Sequence, residues 1–171
     1  MHMLLRTLWV FLFRKNLNPS GFNEKTTYSM RVLPIDLDIL MHVNNGMYFS
    51  FMDFGRWNMI FRNGVYNLSK KKGWYSVVAG ETIKFKKSLK LWDKFTIETQ
   101  VVGHDEKYFF INQKIVKDGE VMSYGLVKVR FLKYKGGTVN TQEVMNEFKD
   151  SIQSAPILSG EWLEFETRYL V

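Results

Sequence analysis

One segment limits the folds open to this chain more than any other. From Asn45 to Arg62, apolar residues fall on more than one face of a helix: Met47, Tyr48, Phe51, Met52, Phe54, Gly55, Met59, Ile60 and Phe61. A surface helix carries one apolar stripe, and a helix that is apolar on several sides is buried. Something must therefore wrap it, and the sequence around it supplies strands. Residues 26–33 alternate and are halted by Pro34, while residues 74–88, 95–102, 108–116 and 122–134 read as four more strands. Ile97, Thr99 and Val101 share one face of their strand. Gly103-His104-Asp105 marks a turn, Asp118-Gly119 a hairpin, and Gly136-Gly137 the close of the last strand. Asn44 or Asn45 caps the helix, and Gly64 stands just past its end. A strand, a long buried helix, then four strands joined by hairpins predict an α+β fold. In it an antiparallel curved sheet wraps around a central helix.

The chain is 171 residues long, enough for one domain with terminal additions. We divide it into an N-terminal hydrophobic segment and linker (1–25), the central domain (26–136) and a C-terminal helix and tail (137–171). Residues 3–13 are apolar apart from Arg6 and Thr7. That is too short to span a bilayer, which takes about 20 residues, and it lacks a signal-peptide layout. It reads as a docked helix or as a peripheral contact with anionic lipid. The expected location is cytoplasmic, with membrane association through that segment. Near the other end, Thr141 opens a helix through Val144, Met145, Phe148 and Ile152, and Pro156 ends it.

Composition removes several chemistries. There is no Cys, which excludes disulfides, zinc ribbons, Fe–S clusters and thiol nucleophiles. With only His2, His42 and His104, no metal site is expected. The net charge of +7 favours an anionic partner. No helix-turn-helix, zinc-finger or RNP-type signature points to nucleic acid, and no phosphate loop is present.

The segment most able to do chemistry is Pro34-Ile35-Asp36-Leu37-Asp38-Ile39-Leu40-Met41-His42-Val43-Asn44-Asn45-Gly46-Met47-Tyr48. Two carboxylates, a His and two Asn run straight into the buried helix. Free N–H groups at a helix start attract negative charge and stabilise an oxyanion. Asp38, on the entering loop, is a candidate nucleophile or general base. The same residues are also ordinary turn and capping residues. Asp53 and Arg56, three apart on the helix, read first as an ion pair.

The pattern D-x-D-x-x-x-H-x-N-N-x-x-Y, followed by Phe51, Asp53 and Arg56, resembles the hotdog-fold acyl-CoA thioesterases. It is similar to the 4-hydroxybenzoyl-CoA thioesterase-like group. Within that group it resembles the subfamily with a hydrophobic N-terminal segment, which Lys87-Ser88-Leu89-Lys90-Leu91 also fits. The resemblance covers about residues 26–135. It implies a hotdog fold, hydrolysis of an acyl-CoA to free acid and coenzyme A, no metal or redox cofactor, and a homodimer or higher homo-oligomer. Asp38 matches the family's catalytic carboxylate. Asn45 matches the position whose N–H polarises the thioester carbonyl, and His42 the residue that shapes the pocket and orients Asp38. Asn44, Gly46 and Tyr48 fall on the substrate side. The basic cluster of Lys84, Lys86 and Lys87, with Lys90, would attract the phosphates of coenzyme A. Asp53, with Arg56, is a secondary candidate, because relatives often carry a helix carboxylate there. Met41 departs from the family, where Gly is common, and is expected to narrow the pocket or alter the loop. Two other readings remain: a non-catalytic acyl-binding or membrane-associated protein, and an acyl-thioester hydratase or dehydratase, whose usual motif is missing.

Overall fold

The computed structural model of the chain describes Leu12 and residues 17–148. The expected N-terminal apolar segment (Leu12 aside), the end of the predicted C-terminal helix and the aromatic tail lie outside the described residues. The strands are β1 (Thr26–Arg31), β2 (Trp74–Phe85), β3 (Lys94–His104), β4 (Phe109–Lys117), β5 (Glu120–Lys133) and β6 (Thr138–Val139). Among the described residues the helices are α1 (Asn45–Arg62), α2 (Val65–Lys72) and α3 (Thr141–Met145), with a 3-10 turn at Pro34–Asp36. All six strands form one antiparallel sheet in the order β1-β3-β4-β5-β2, with β6 paired to β5. This is the expected α+β hotdog arrangement.

Hairpins join β3 to β4 and β4 to β5. Asp118 (φ 50) and Gly119 (φ 79) make the tight turn that the Asp-Gly pair predicts. The expectation that β2 also leads into β3 by a hairpin is corrected. β2 pairs with β5 at the far edge of the sheet, and residues 86–93 cross back to β3. That crossover places β1 and β2 on opposite edges, with α1 strung between them. Gly64 (φ 80) does follow α1, as expected, but the chain turns there into α2, which sequence reading missed. The described part of the C-terminal helix is α3 alone; it opens at Thr141 as expected and is capped by Asn140, whose side chain accepts from Gln142 N–H at 2.7 Å.

Alternation puts Phe95, Ile97, Thr99 and Val101 of β3 on the buried face. Two apolar clusters result. One gathers the first half of α1 (Tyr48, Phe51, Met52) with Ile97 and Ile115. The other gathers its second half (Met59) with Val101, Phe109 and Val127, and it also takes in Phe22, Val139, Val144 and Met145. The packed unit thus draws in residues on both sides of 26–136.

Between the two clusters α1 touches the sheet at Gly55. A Cβ there would stand 2.6 Å from Ile97 Cγ2 and 2.6 Å from Thr99 Oγ1. Ala would gain about 1 kcal/mol of helix propensity, but overpacking a site without room costs typically about 1–3 kcal/mol. Gly55→Ala is therefore expected to destabilise the fold, read as a lower urea midpoint with an unchanged slope. An unaltered midpoint would contradict the close approach.

Candidate active site

The chain enters α1 through a doubly pinned loop. Asp36 is fully buried, and its carboxylate accepts from Leu33 N–H at 2.8 Å. Its carbonyl accepts from Asn44 N–H at 2.9 Å. Leu37 and Val43 form a β-bridge, and Asp38 N–H donates to the His42 carbonyl at 2.8 Å. Residues 38–42 are thereby a tight loop held beside the start of α1.

Within it, Asp38 Oδ1 accepts from Leu40 N–H at 2.9 Å and from His42 N–H at 3.3 Å. The contact joining His42 to Asp38 is thus a main-chain one. No hydrogen bond is made to Asp38 Oδ2 among the described residues. Met41 adopts φ 61, a left-handed conformation that suits Gly. That is a physical reason for Gly at this position in relatives. The Met41 side chain is 60% exposed, so within one chain it does not fill a pocket.

Asn44 is the helix cap. Its side-chain oxygen accepts from Gly46 N–H at 2.9 Å, and its carbonyl from Met47 N–H at 2.9 Å. Asn45 comes first in α1, is exposed, and its N–H has no acceptor among the described residues. At this end of the helix, one N–H and one carboxylate oxygen are left open.

Tyr48 lies below them, 2% exposed, with its hydroxyl accepting from Leu89 N–H at 3.0 Å. Burial pushes its phenol above the ordinary value. It is a buried clamp in the described chain, not part of an open surface. The clamped segment, residues 86–93, runs alongside the loop: Val43 N–H donates to the Leu89 carbonyl at 3.0 Å, and His42 bridges Lys90. Lys84, Lys86 and Lys87 are exposed where β2 passes into this segment. Lys86 lies 5.7 Å from the centre of the Tyr124 ring, and Lys87 pairs with Glu120 at 2.7 Å.

Asp93 closes the segment. It accepts from Lys90 N–H and from Lys117 Nζ, each at 2.8 Å. Burial raises its pKa, but Lys117 and the Lys90 N–H outweigh that and hold the carboxyl below its usual range.

Asp53 and Arg56 form the expected ion pair. Sequence reading missed the rest of this group. Arg56 also donates to Glu81 at 2.8 Å and to Gln113 at 2.7 Å. Gln113 in turn donates to the Met52 carbonyl and to Thr99 Oγ1, each at 2.9 Å. The signal was available, because Gln113 shares a strand face with Ile111 and Ile115. Asp53 lies eight residues beyond Asn45, about 12 Å along a helix axis, so this group and Asp38 are well separated in one chain.

Beyond Arg56 a cavity of about 160 Å³ opens. Trp57, Met59 and Ile60 of α1 line it, with Val101, Ile111 and Val129 of the sheet. Ser76–Val78 of β2 and Asp53 mark its outer end. No group of metal-ligating side chains occurs among the described residues.

Residues 32–157 match the thioesterase-like superfamily. The chain belongs to that superfamily. Protein THEM6 of Xenopus laevis is 40% identical over 93 residues, which are 54% of this chain and 45% of that protein. Protein THEM6 of Danio rerio is 27% identical over 164 residues, 94% of this chain and 80% of the relative. The Xenopus match thus spans under half of that relative's length. Among solved structures, the YbaW probable thioesterase of Escherichia coli superposes with TM-score 0.67 at 21% identity, over 71% of this chain and 93% of that one. The SAV2348 protein of Staphylococcus aureus, solved in complex with CoA, gives 0.61 at 14% identity, over 81% and 92%. These likenesses confirm the hotdog fold. No described helix is long and apolar enough to cross a membrane.

Two outcomes follow from the pinned loop. Met41→Gly should be neutral or stabilising by up to about 1 kcal/mol, because a non-Gly residue in the left-handed region costs about 1–2 kcal/mol. Met41→Val should lower the melting temperature, since β-branched residues resist that conformation. The opposite ranking in a thermal melt would show that the loop does not hold φ 61. Separately, a carboxylate with a lowered folded pKa stabilises the fold at pH above its unfolded value, about 3.9. That contribution is lost as the pH falls through the lower folded value. Asp93→Asn should lower the melting temperature at pH 7 and flatten its fall below about pH 4. An acid limb as steep as the parent's would remove Asp93 from that role.

Proposed function

We propose that the chain hydrolyses an acyl-CoA thioester to a free acid and coenzyme A. The observation that carries this reading is the pair of unengaged groups at the start of α1, Asp38 Oδ2 and the Asn45 N–H. A thioester carbonyl placed at Asn45 would have its developing negative charge met by the N–H and the positive end of the helix. Asp38 then attacks the carbonyl carbon, or takes a proton from a water that does. The tetrahedral intermediate collapses, the C–S bond breaks, and coenzyme A leaves as a thiolate that gains a proton; after direct attack, water then hydrolyses the acyl–Asp38 anhydride, which frees the acid and restores the carboxylate. The route uses no metal or redox cofactor.

Membership of the superfamily supports this reading. So does one structural neighbour, the BH1999 gentisyl-coenzyme A thioesterase, of TM-score 0.61 and 24% identity. The exposed Lys84, Lys86 and Lys87, with Lys90 beside His42, are the proposed contacts for the phosphates of coenzyme A. Asn44 and Gly46 shape the helix start by capping. His42 is proposed to act through its main-chain N–H on Asp38. We include a homodimer in the proposal. β2 runs for 12 residues with β5 on one side, and among the described residues no strand on the other. Such an edge is a template for pairing with a second copy.

Asp38→Asn keeps the size and hydrogen-bond acceptor of the side chain while removing its basicity. Its kcat on acyl-CoA, followed by thiol release, is expected to fall at least about 100-fold, the scale of general-base loss. Turnover equal to the parent's would remove Asp38 from catalysis.

A further inference from the structure

We infer that the end of the protomer bearing the Asp38 loop seats on an anionic lipid surface, with Ile39, Leu40, Met41 and Trp92 entering the lipid and a rim of cations on its headgroups. The inference does not depend on the thioester reading. Ile39 is 97% exposed, Leu40 70% and Met41 60%. Three consecutive apolar residues this open to water are a defect unless something outside the chain covers them. Ile35 and Trp92 are exposed too, and backbone pairing brings them to the same end. Trp92 N–H donates at 3.2 Å to the carbonyl of Val32, which precedes the turn holding Ile35. His42, next to Met41, bridges Lys90, just before Trp92 in the neighbouring segment. Two adjoining loops thus present one apolar tip.

Two of these residues hold a costly conformation. Met41 (φ 61) and Trp92 (φ 66) are both left-handed, a strain that Gly would escape. Both side chains are more than half exposed, so packing within the chain does not offset it. Behind the tip stand cations. Arg31 and Lys94 are partners in the β1–β3 register and both exposed, as is Lys90. Lys84 and Lys86 add two more where β2 enters the same segment. Of the nearby carboxylates, Asp36 is buried, Asp93 is held by Lys117, and Asp118 lines a shallow groove with Arg31 and Lys94. Apolar tips with a tryptophan beside them and cations behind them have the make-up of an interfacial anchor. A second copy meeting this face about a two-fold axis would set cations against cations, whereas an anionic leaflet attracts them. Seated in this way, the Asp38 loop faces the lipid, and a ligand dissolved there reaches it without first crossing water.

The chain has no Cys, so Leu40→Cys gives the full-length protein a single thiol for a nitrobenzoxadiazole label. The emission of that label rises and shifts to the blue when it leaves water. Thr138→Cys puts the same label at the far end of β5, since β5 begins at Glu120 beside Lys87 and pairs with Thr138 at Leu132. With vesicles of phosphatidylcholine and phosphatidylserine, the label at position 40 should shift and the label at 138 should not. With phosphatidylcholine alone the shift at 40 should be much smaller. Adding Ile39→Asp should abolish it. Lys94→Glu changes the charge of the rim by two, and should raise the vesicle concentration at half-change at least about tenfold. If Leu40→Cys does not fold by circular dichroism, Ile39→Cys carries the label. No shift at 40, whether or not the protein sediments with the vesicles, overturns the inference, and so does an equal shift at 138. A blue-shifted label without vesicles that reverts on dilution would put a second copy on this face, and would overturn it too. None of these readouts uses hydrolysis, so they fail or succeed apart from the thioester reading.

Discussion

The close approach of α1 to the sheet at Gly55 organises the rest of the molecule. A helix meets a sheet face this tightly only where a side chain is missing, and here the missing side chain exposes backbone to a polar neighbour. Gln113, fully buried on β4, uses that nearness to donate to the Met52 carbonyl and to Thr99, while its own oxygen accepts from Arg56. A buried amide without partners would cost several kcal/mol. With these partners it fixes the sliding position of α1 along β3 and β4, which apolar packing alone leaves loose. Arg56 is buried too, and two carboxylates and an amide oxygen satisfy it. Breaking one member would leave a charge stranded, so the group holds as a unit.

This node divides the interior into two compartments that are packed differently. The first half of α1 is densely clamped. Tyr48 reaches Leu89, Phe85 packs edge-on against Tyr48 at 5.1 Å, and the loop of Asp38 is tied on both sides. Rigidity there suits a site whose groups must be held in place before a reacting carbonyl arrives. The second half has the cavity, where packing stability is given up. The first half of α1 is thus held by hydrogen bonds, and the second half leaves volume unfilled.

Much of the fold was legible in the sequence because its strongest signals are local. The many-sided apolarity of 45–62, the alternation of β3 and the Asp118-Gly119 turn each report on a few neighbouring residues, and each appears as expected. What was not legible is long-range. Nothing local in 86–93 says that the chain crosses the sheet instead of turning back, so β2 was placed beside β3 rather than β5. Gly64 was read correctly as a helix stop, and the helix that starts right after it was missed for that reason. At the candidate site, capping by Asn44 was visible from residue type and position. The main-chain link between His42 and Asp38 was not, since any residue offers an N–H. Glu81 and Gln113 come to Arg56 from strands 25 and 57 residues away in sequence, a meeting that no motif spacing encodes.

The crossover also decides the order in which the chain can assemble. The β3–β4–β5 meander closes through two short hairpins and needs nothing else. β1 and β2 must wait for it: Trp74 pairs with Lys133 and Thr26 with Thr99, both far apart along the chain. Long-range strand pairing is slow because loop entropy is spent before contacts repay it. The two edge strands flank α1 in sequence, so docking them brings the helix down onto the sheet in the same step. Until then the Asp38 loop has no Leu89 or Lys90 to hold it, and the groups proposed for chemistry are the last part of the molecule to acquire their geometry.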